Sequence, residues 1–283
     1  MKPSHNIGIS QLWLKKALLC ISLCFILLPA CSFAQARSFH PNQAFGEDEF
    51  LRYRVYYSSL ITGNVTAGEA TIEVKTARKP MHGKEVWKIT GSGVSKGAFN
   101  WFFKVKDRFE SYVDKDAIIP YLFVRRTREG DYVKDDDVYF YHNQKIATSR
   151  TATKAIPSNV HDFVSALFFM RTLNLSDFDS DSSYYLDFFL DDSVYVSKIK
   201  YLGTEAIETA AGRFRCLKIA PMMATGNVFA NAYPMFVWVT DDKNHLPILA
   251  ESKVIVGSVK MELIAYKNLR NLLESRLYSG KDR

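Results

Sequence analysis

Cysteine is scarce in this chain: four among 283 residues, with Cys20, Cys24 and Cys31 in the N-terminal segment and Cys216 alone further on. A disulfide-stapled scaffold is therefore excluded, and the fold must be held by burial. Cys216 lies in the strand-like run Arg213-Phe214-Arg215-Cys216-Leu217-Lys218-Ile219. With no base or electropositive setting beside it, it reads as a small apolar side chain rather than a nucleophile. Proline (9) and glycine (14) are few, and no repeat, low-complexity stretch or Pro/Ser linker divides the chain. One domain is expected. A dominant charge sign is missing too. Three of the lysines behind the net charge of +7 are Lys2, Lys15 and Lys16, and without residues 1–34 it falls to +4. That surplus is too small to argue for nucleic acid as a partner.

Catalytic motifs are also lacking. His40, His82, His142, His161 and His245 are scattered, without HExxH or paired-cysteine spacing, so no metal set or cofactor is implied. Asp177, Asp179 and Asp181 start like a calcium loop, but Ser182 replaces the turn glycine and Phe188 the bidentate Glu. There is no Gly-x-Ser-x-Gly elbow. Gly91-Ser92-Gly93-Val94-Ser95-Lys96-Gly97 lacks the ending of a phosphate loop and reads as a strand end turning into a loop. His161 beside Asp162 cannot act as a pair, since adjacent helix residues point apart. Asp162 is expected to be structural, with an arginine such as Arg171 as its partner. Asp241-Asp242 reads as turn chemistry. An enzyme is the least favoured class.

The composition itself is that of a globular protein: 47% hydrophobic, 24% charged and 14% aromatic. Its first segment has the grammar of an export signal. Lys2, Lys15 and Lys16 precede the apolar run Ala17 to Phe33, and Ser32-Phe33-Ala34 offers a cleavage site before Gln35. The run is interrupted by Pro29 and at the bottom of the range for crossing a bilayer. Residues 1–34 are expected to be removed, leaving 35–283 as a periplasmic chain that does not span the membrane. A second export reading competes. Leu28-Pro29-Ala30-Cys31 is similar to a lipobox, in which Cys31 would be acylated and would tether the protein to the outer membrane.

Beyond this segment, period-two alternation dominates. Leu51, Tyr53 and Val55 alternate with Arg52 and Arg54, and Ala70, Ile72 and Val74 with Thr71, Glu73 and Lys75. Phe103, Val105, Phe109 and Val113 alternate with Lys104, Lys106, Arg108 and Glu110, interrupted by Asp107 and Ser111. The rhythm returns at Val194–Tyr201 and at Val259–Ala265. Such strands have one wet and one buried face, which implies antiparallel sheet. Turn signals at Gly63-Asn64, Pro80–Gly83, Gly130-Asp131 and Gly212 separate them. The mixed charges from Arg125 to Asp137 read as solvated strand edges and turns. The expected fold is mainly β, a curved antiparallel sheet or half-open barrel. Its β-rich halves, about 45–150 and 183–268, flank a central helix near 160–173, for which Asn159 is the candidate cap. Leu269, Leu272, Leu273 and Leu277 suggest a short C-terminal helix.

Aromatics are left as the informative surplus. Most must be core, yet a curved sheet closed by one apolar helix can enclose an apolar cavity. Phe99, Trp101, Phe102 and Phe103 are the candidates for its hydrophobic rim. Asp162, Arg171, Trp238 and Asp242 are expected to form a structural polar and aromatic framework.

Several of these features together are similar to one family. Gly46-Glu47 before Leu51-Arg52-Tyr53, Ala67-Gly68-Glu69-Ala70, the helix Asp162 to Arg171, Gly212 to Cys216, and Trp238 to Asp242 followed by Leu246-Pro247-Ile248 resemble domain-of-unknown-function family 3108. That resemblance, over about 45–268, implies an exported envelope β protein with no established activity. More distantly, the architecture resembles periplasmic lipoprotein carriers, by analogy of fold alone. The function expected is binding of a lipid, another hydrophobic small molecule or an acylated partner. A scaffold of an envelope protein complex is the alternative.

Overall fold

The computed structural model describes residues 41–59, 63–175, 183–222, 235–253 and 258–278. Strands dominate: β1 Phe50–Ser59, β2 Gly63–Thr76, β3 Val86–Ser95, β4 Lys106–Asp114, β5 Pro120–Glu129, β6 Tyr132–Tyr141, β7 Ile146–Thr148 and β8 Thr153–Ala155. After the central helix Phe163–Arg171 come β9 Ser183–Leu190, β10 Ser193–Thr209, β11 Gly212–Pro221, β12 Met235–Thr240, β13 Pro247–Lys253, β14 Ser258–Lys267 and the two-residue β15 Arg276–Leu277. A four-residue helix, Phe99–Phe102, sits between β3 and β4.

The strands form one antiparallel sheet in the order β8-β7-β6-β5-β4-β3-β2-β1-β14-β13-β12-β11-β10-β9. Every neighbour is next in sequence except β1 and β14, so two up-and-down meanders are joined along that single ladder. Such topology needs only short turns and follows directly from the alternating runs. At the β9–β10 turn, Asp191 and Asp192 both have positive φ (47° and 57°), the conformation of a twist-matched two-residue hairpin that Asp tolerates.

The sheet is curved but not closed. Its end strands, β8 and β9, do not pair. Between them the chain crosses by way of the central helix, and the residues ahead of that helix cover the edge of β9. The His161 amide donates to the Asp187 carbonyl (2.9 Å) and the Phe189 amide to the His161 carbonyl (2.7 Å). Across the seam, Arg125 of β5 meets Asp191 (3.3 Å), and Thr151 donates to Asp192 (2.5 Å).

The helix begins three residues later than Asn159 predicts. Asp162 is the cap, its Oδ1 accepting from the amides of Val164 and Ser165 at 2.8 Å each. Asn159 instead has a left-handed backbone (φ 59°) in the preceding turn. Two apolar clusters receive the helix: Val164 and Phe168 pack with Phe45, Ile89, Val113, Phe123 and Phe140, while Ala166 and Met170 pack beside Leu186, Ile199, Leu217 and Val237. A third cluster holds Leu51, Tyr53, Phe214, Cys216, Trp238 and Leu263. Burial pushes the Cys216 thiol up to about 12, helped by the negative charges of Asp242 and Glu205, so it stays protonated.

The expected C-terminal helix is not formed. Residues 268–278 run irregularly and end in β15, paired to β11. Side chains hold them instead: Asp242 Oδ2 accepts from the Ser275 hydroxyl (2.6 Å) and amide (3.2 Å), Asn244 Oδ1 accepts from the Asn271 amide (3.0 Å), and the Asn271 side chain donates to the Gln43 carbonyl (2.8 Å). Gly91 to Ser95 form the end of β3, and Lys96-Gly97 begin the loop that follows, as the sequence suggests.

Candidate functional site: an apolar cavity under the central helix

A cavity of about 590 Å³ lies between the concave face of the sheet and the central helix. That volume is typical of a small-molecule site. Its origin is legible in β2 and β3. On their inner faces Val74, Ile72 and then Ala70 run up β2, beside Ile89, Gly91 and Gly93 on β3, with Ile72 opposite Gly91 and Ala70 opposite Gly93. A Cβ placed on Gly91 or Gly93 would meet nothing within 4 Å. Glycine inside a strand weakens it and contributes no packing, so two glycines here exchange core for empty space. The helix offers Phe163, Leu167 and Met170 to the cavity, and Leu186, Ile199, Val237 and Met261 close the far wall.

Polar lining residues are few: Thr71, Ser92 and Ser197 are uncharged, and Asp107 and Arg125 carry charge. Arg125 and Asp107 reach the cavity from β5 and β4. Arg125 donates to the Thr127 hydroxyl (3.1 Å) and pairs with Asp191, and Asp107 accepts from the Arg128 amide (3.0 Å). Neighbouring Glu129 titrates above the usual carboxylate range, because of burial and then its hydrogen bond with Asp107. The mixed-charge run is thus not an edge. Arg126 and Arg128 pair with Asp137 and Asp135 across the β5–β6 ladder (2.6 and 2.7 Å), while Arg125 points inward.

The residues singled out in the sequence fall elsewhere. Asp162 is fully buried but does not meet Arg171; its second oxygen accepts from the Ser111 hydroxyl (2.6 Å). Burial raises its carboxyl to about 6 against the pull of these hydrogen bonds. Arg171 pairs instead with buried Glu49 through two bonds of 2.6 and 2.9 Å. It also donates to the carbonyls of Asn244 and Ala44 and lies over the rings of Phe45 and Phe168. Glu49 has no signal in the sequence, as it precedes β1 by one residue and reads as an ordinary surface acid.

Trp238 donates from Nε1 to Glu205 (2.5 Å), with Lys218 over its ring. Asp242 ties the Thr240 hydroxyl (2.9 Å) to the C-terminal segment. His245 Nδ1 lies 2.8 Å from the Arg171 carbonyl, and burial holds its ring below the usual histidine range. His161 is buried with its ring against Phe169. None of His161, Asp162, Asp242 and His245 lines the large cavity. Phe99, Trp101, Phe102 and Phe103 do not line it either; they form the tip of the β3–β4 hairpin beyond the wall. Cys31, Ala34, Gln35 and the Asp177–Asp181 run lie outside the described residues.

A single curved antiparallel sheet wrapped around one helix, with an apolar hollow between them, defines a barrel-like β protein. The chain belongs to the family of proteins of unknown function DUF3108, whose model matches residues 52–264. None of the curated protein sequences compared with it matches. Among solved structures, it is similar to a beta-barrel-like protein of domain of unknown function DUF1849 from Brucella abortus. That likeness has a TM-score of 0.53 at 10% identity, covering 79% of this chain and 99% of that one, and it bears on the fold alone. A Bacteroides fragilis protein with a YmcC-like fold aligns at a TM-score of 0.35 and 13% identity, over 81% of this chain and 99% of that one.

Proposed function

We propose that the protein holds a hydrophobic ligand, such as a lipid or the acyl chain of an acylated partner, in the cavity under the central helix. The observation that carries this reading is the pair Gly91 and Gly93: inner-face positions of a central strand that could pack the core and instead border open space. Predominantly apolar walls with one charged pair of lining residues on the neighbouring strands β4 and β5, Asp107 and Arg125, suit an amphiphile lying with its chain inward. The export grammar of residues 1–35 supports an envelope location, with cleavage before Gln35 as the main reading and acylation of Cys31 as the alternative.

Gly93→Leu tests the reading. Its backbone φ is not left-handed and its Cβ direction is clear, so the variant folds and fills the space. Wild-type protein isolated from its own envelope fraction is expected to carry a co-purifying lipid in native mass spectrometry, and Gly93→Leu to lose at least tenfold of it. Equal lipid in a well-folded Gly93→Leu protein, or none in the wild type, overturns the proposal. The same spectra read the N-terminus, as a mass beginning at Gln35 or one with an acylated Cys31.

A further inference from the structure

The hairpin that supplies Gly91, Gly93, Asp107 and Phe109 to the cavity continues past it to a tip spanning residues 96–105. Trp101 is 85% and Phe102 87% exposed there. These rings are not on a frayed loop. The tip contains a helical turn closed by bonds from the Trp101 amide to Ala98 (3.1 Å) and from the Phe103 amide to Phe99 (2.9 Å). Its neck is tied by the Ser95 hydroxyl, which donates to Asn100 (2.5 Å) and accepts from the Val105 amide (2.9 Å). Phe103 packs against Gly130 of the β5–β6 turn, whose next residues, Tyr132 and Val133, are also exposed. The fold therefore holds two large apolar rings out in solvent, where each forfeits the gain of burial.

The surrounding charge says what covers them. From Ser95 to Lys106 there is no carboxylate, while Lys96, Lys104 and Lys106 are all exposed. Lys96 is engaged with Glu69 (3.2 Å), while Lys104 and Lys106, which follow the rings in sequence, form no ion pair among the described residues. Tryptophan and phenylalanine flanked by lysine fit the boundary between headgroups and acyl chains, where the rings enter and the ammonium groups meet phosphate. Glu129 and Asp131 on the neighbouring turn confine this attraction to the hairpin. The tip is also at the end of the sheet reached by Leu190, Met222 and Met235, the strand-end residues that line the cavity.

We propose that this hairpin tip docks the protein on a lipid bilayer, with Trp101 and Phe102 inserted at the interface and Lys104 and Lys106 on anionic headgroups. The docking stands apart from the cavity reading and does not require a bound ligand. It is tested by flotation of the purified protein with vesicles of phosphatidylethanolamine and phosphatidylglycerol, and with vesicles of phosphatidylcholine alone. The protein used begins at Gln35, so neither the apolar run Ala17 to Phe33 nor Trp13 contributes to binding or emission.

Trp101→Ser with Phe102→Ser is expected to weaken binding to both vesicles about tenfold or more, with an unchanged melting temperature. Lys104→Gln with Lys106→Gln is expected to weaken binding only to the anionic vesicles, by roughly fivefold or more. A second readout is tryptophan emission, which shifts blue on vesicle addition in the wild type and does not in Trp101→Phe, although Trp87 and Trp238 remain. Undiminished flotation of the Trp101→Ser/Phe102→Ser protein, or a blue shift that survives Trp101→Phe, overturns the proposal.

Discussion

Asp162 concentrates several demands in one carboxyl group. It caps the central helix, anchors β4 through Ser111 and sits wholly out of water. Three donors favour its charged form, but burial outweighs them and raises the folded value from 3.8 to about 6. A carboxyl raised on folding stabilises the fold at low pH, below the unfolded value, and that contribution is lost as pH rises through about 6. The difference across this window is about 3 kcal/mol. Asp162→Asn keeps a capping oxygen and cannot ionise, so its urea stability relative to wild type should rise from pH 4 to pH 7. A parallel pH profile for the two proteins would refute this assignment. Asp162→Ala strands two amides and a hydroxyl, and should cost about 2–4 kcal/mol at neutral pH; an unchanged melting temperature would show that the cap carries nothing.

The central helix is fastened at its other end by Arg171, whose ion pair with Glu49 is buried on both sides. Such a pair is retained less for net stability than because each half is costly alone. Arg171→Met should cost about 3–5 kcal/mol by leaving the Glu49 carboxylate unpaired, whereas adding Glu49→Gln should recover part of that loss. Denaturant melts of the two single variants and the double variant measure the coupling, and additive costs would mean that the two side chains act independently.

The helix itself was legible from Val160, Phe163, Val164, Leu167 and Met170, but its cap was not. Asn159 and Asp162 are equally good cap types, and only the left-handed turn at Asn159 decides between them. The tail misleads for a related reason. Leu269 and Leu273 pack into the core whereas Leu272 is exposed, so helical spacing there is coincidence. Asn244, Asp242 and Ser275 impose an irregular path that no periodicity announces. Alternation revealed the strands because one face is wet along most of their length. A cavity could be expected from the curved sheet and its apolar helix, but its place could not, because the large aromatic residues Phe99 to Phe103 stand outside it and the hollow is made where Ala70, Gly91 and Gly93 have little or no side chain. The usable signal was small residues at matching inner positions of two adjacent strands.

For the whole molecule, an open seam and an interior hollow mean that part of the core is left unfilled. The sheet is continuous from β8 to β9, yet these end strands do not pair, and side chains such as Arg125 of β5 and Asp191 of the β9–β10 turn meet across the seam. An ion pair of that kind contributes little, so the stability of the seam rests on how the helix and the inner faces pack around the cavity. A ligand bound only by the folded state adds RT ln(1 + [L]/Kd), about 2.7 kcal/mol at a hundredfold excess over Kd. For a domain of this size that corresponds to a shift of about 5–11 °C in Tm. Protein stripped of lipid by detergent exchange or organic extraction should therefore melt about 5–11 °C below the lipid-bearing form, and a long-chain fatty acid added back should restore the difference. Gly93→Leu should melt at one temperature in both conditions, because its side chain occupies the space that the ligand would fill. A Tm that responds equally to lipid in wild type and Gly93→Leu would place the stabilising ligand somewhere other than under the helix.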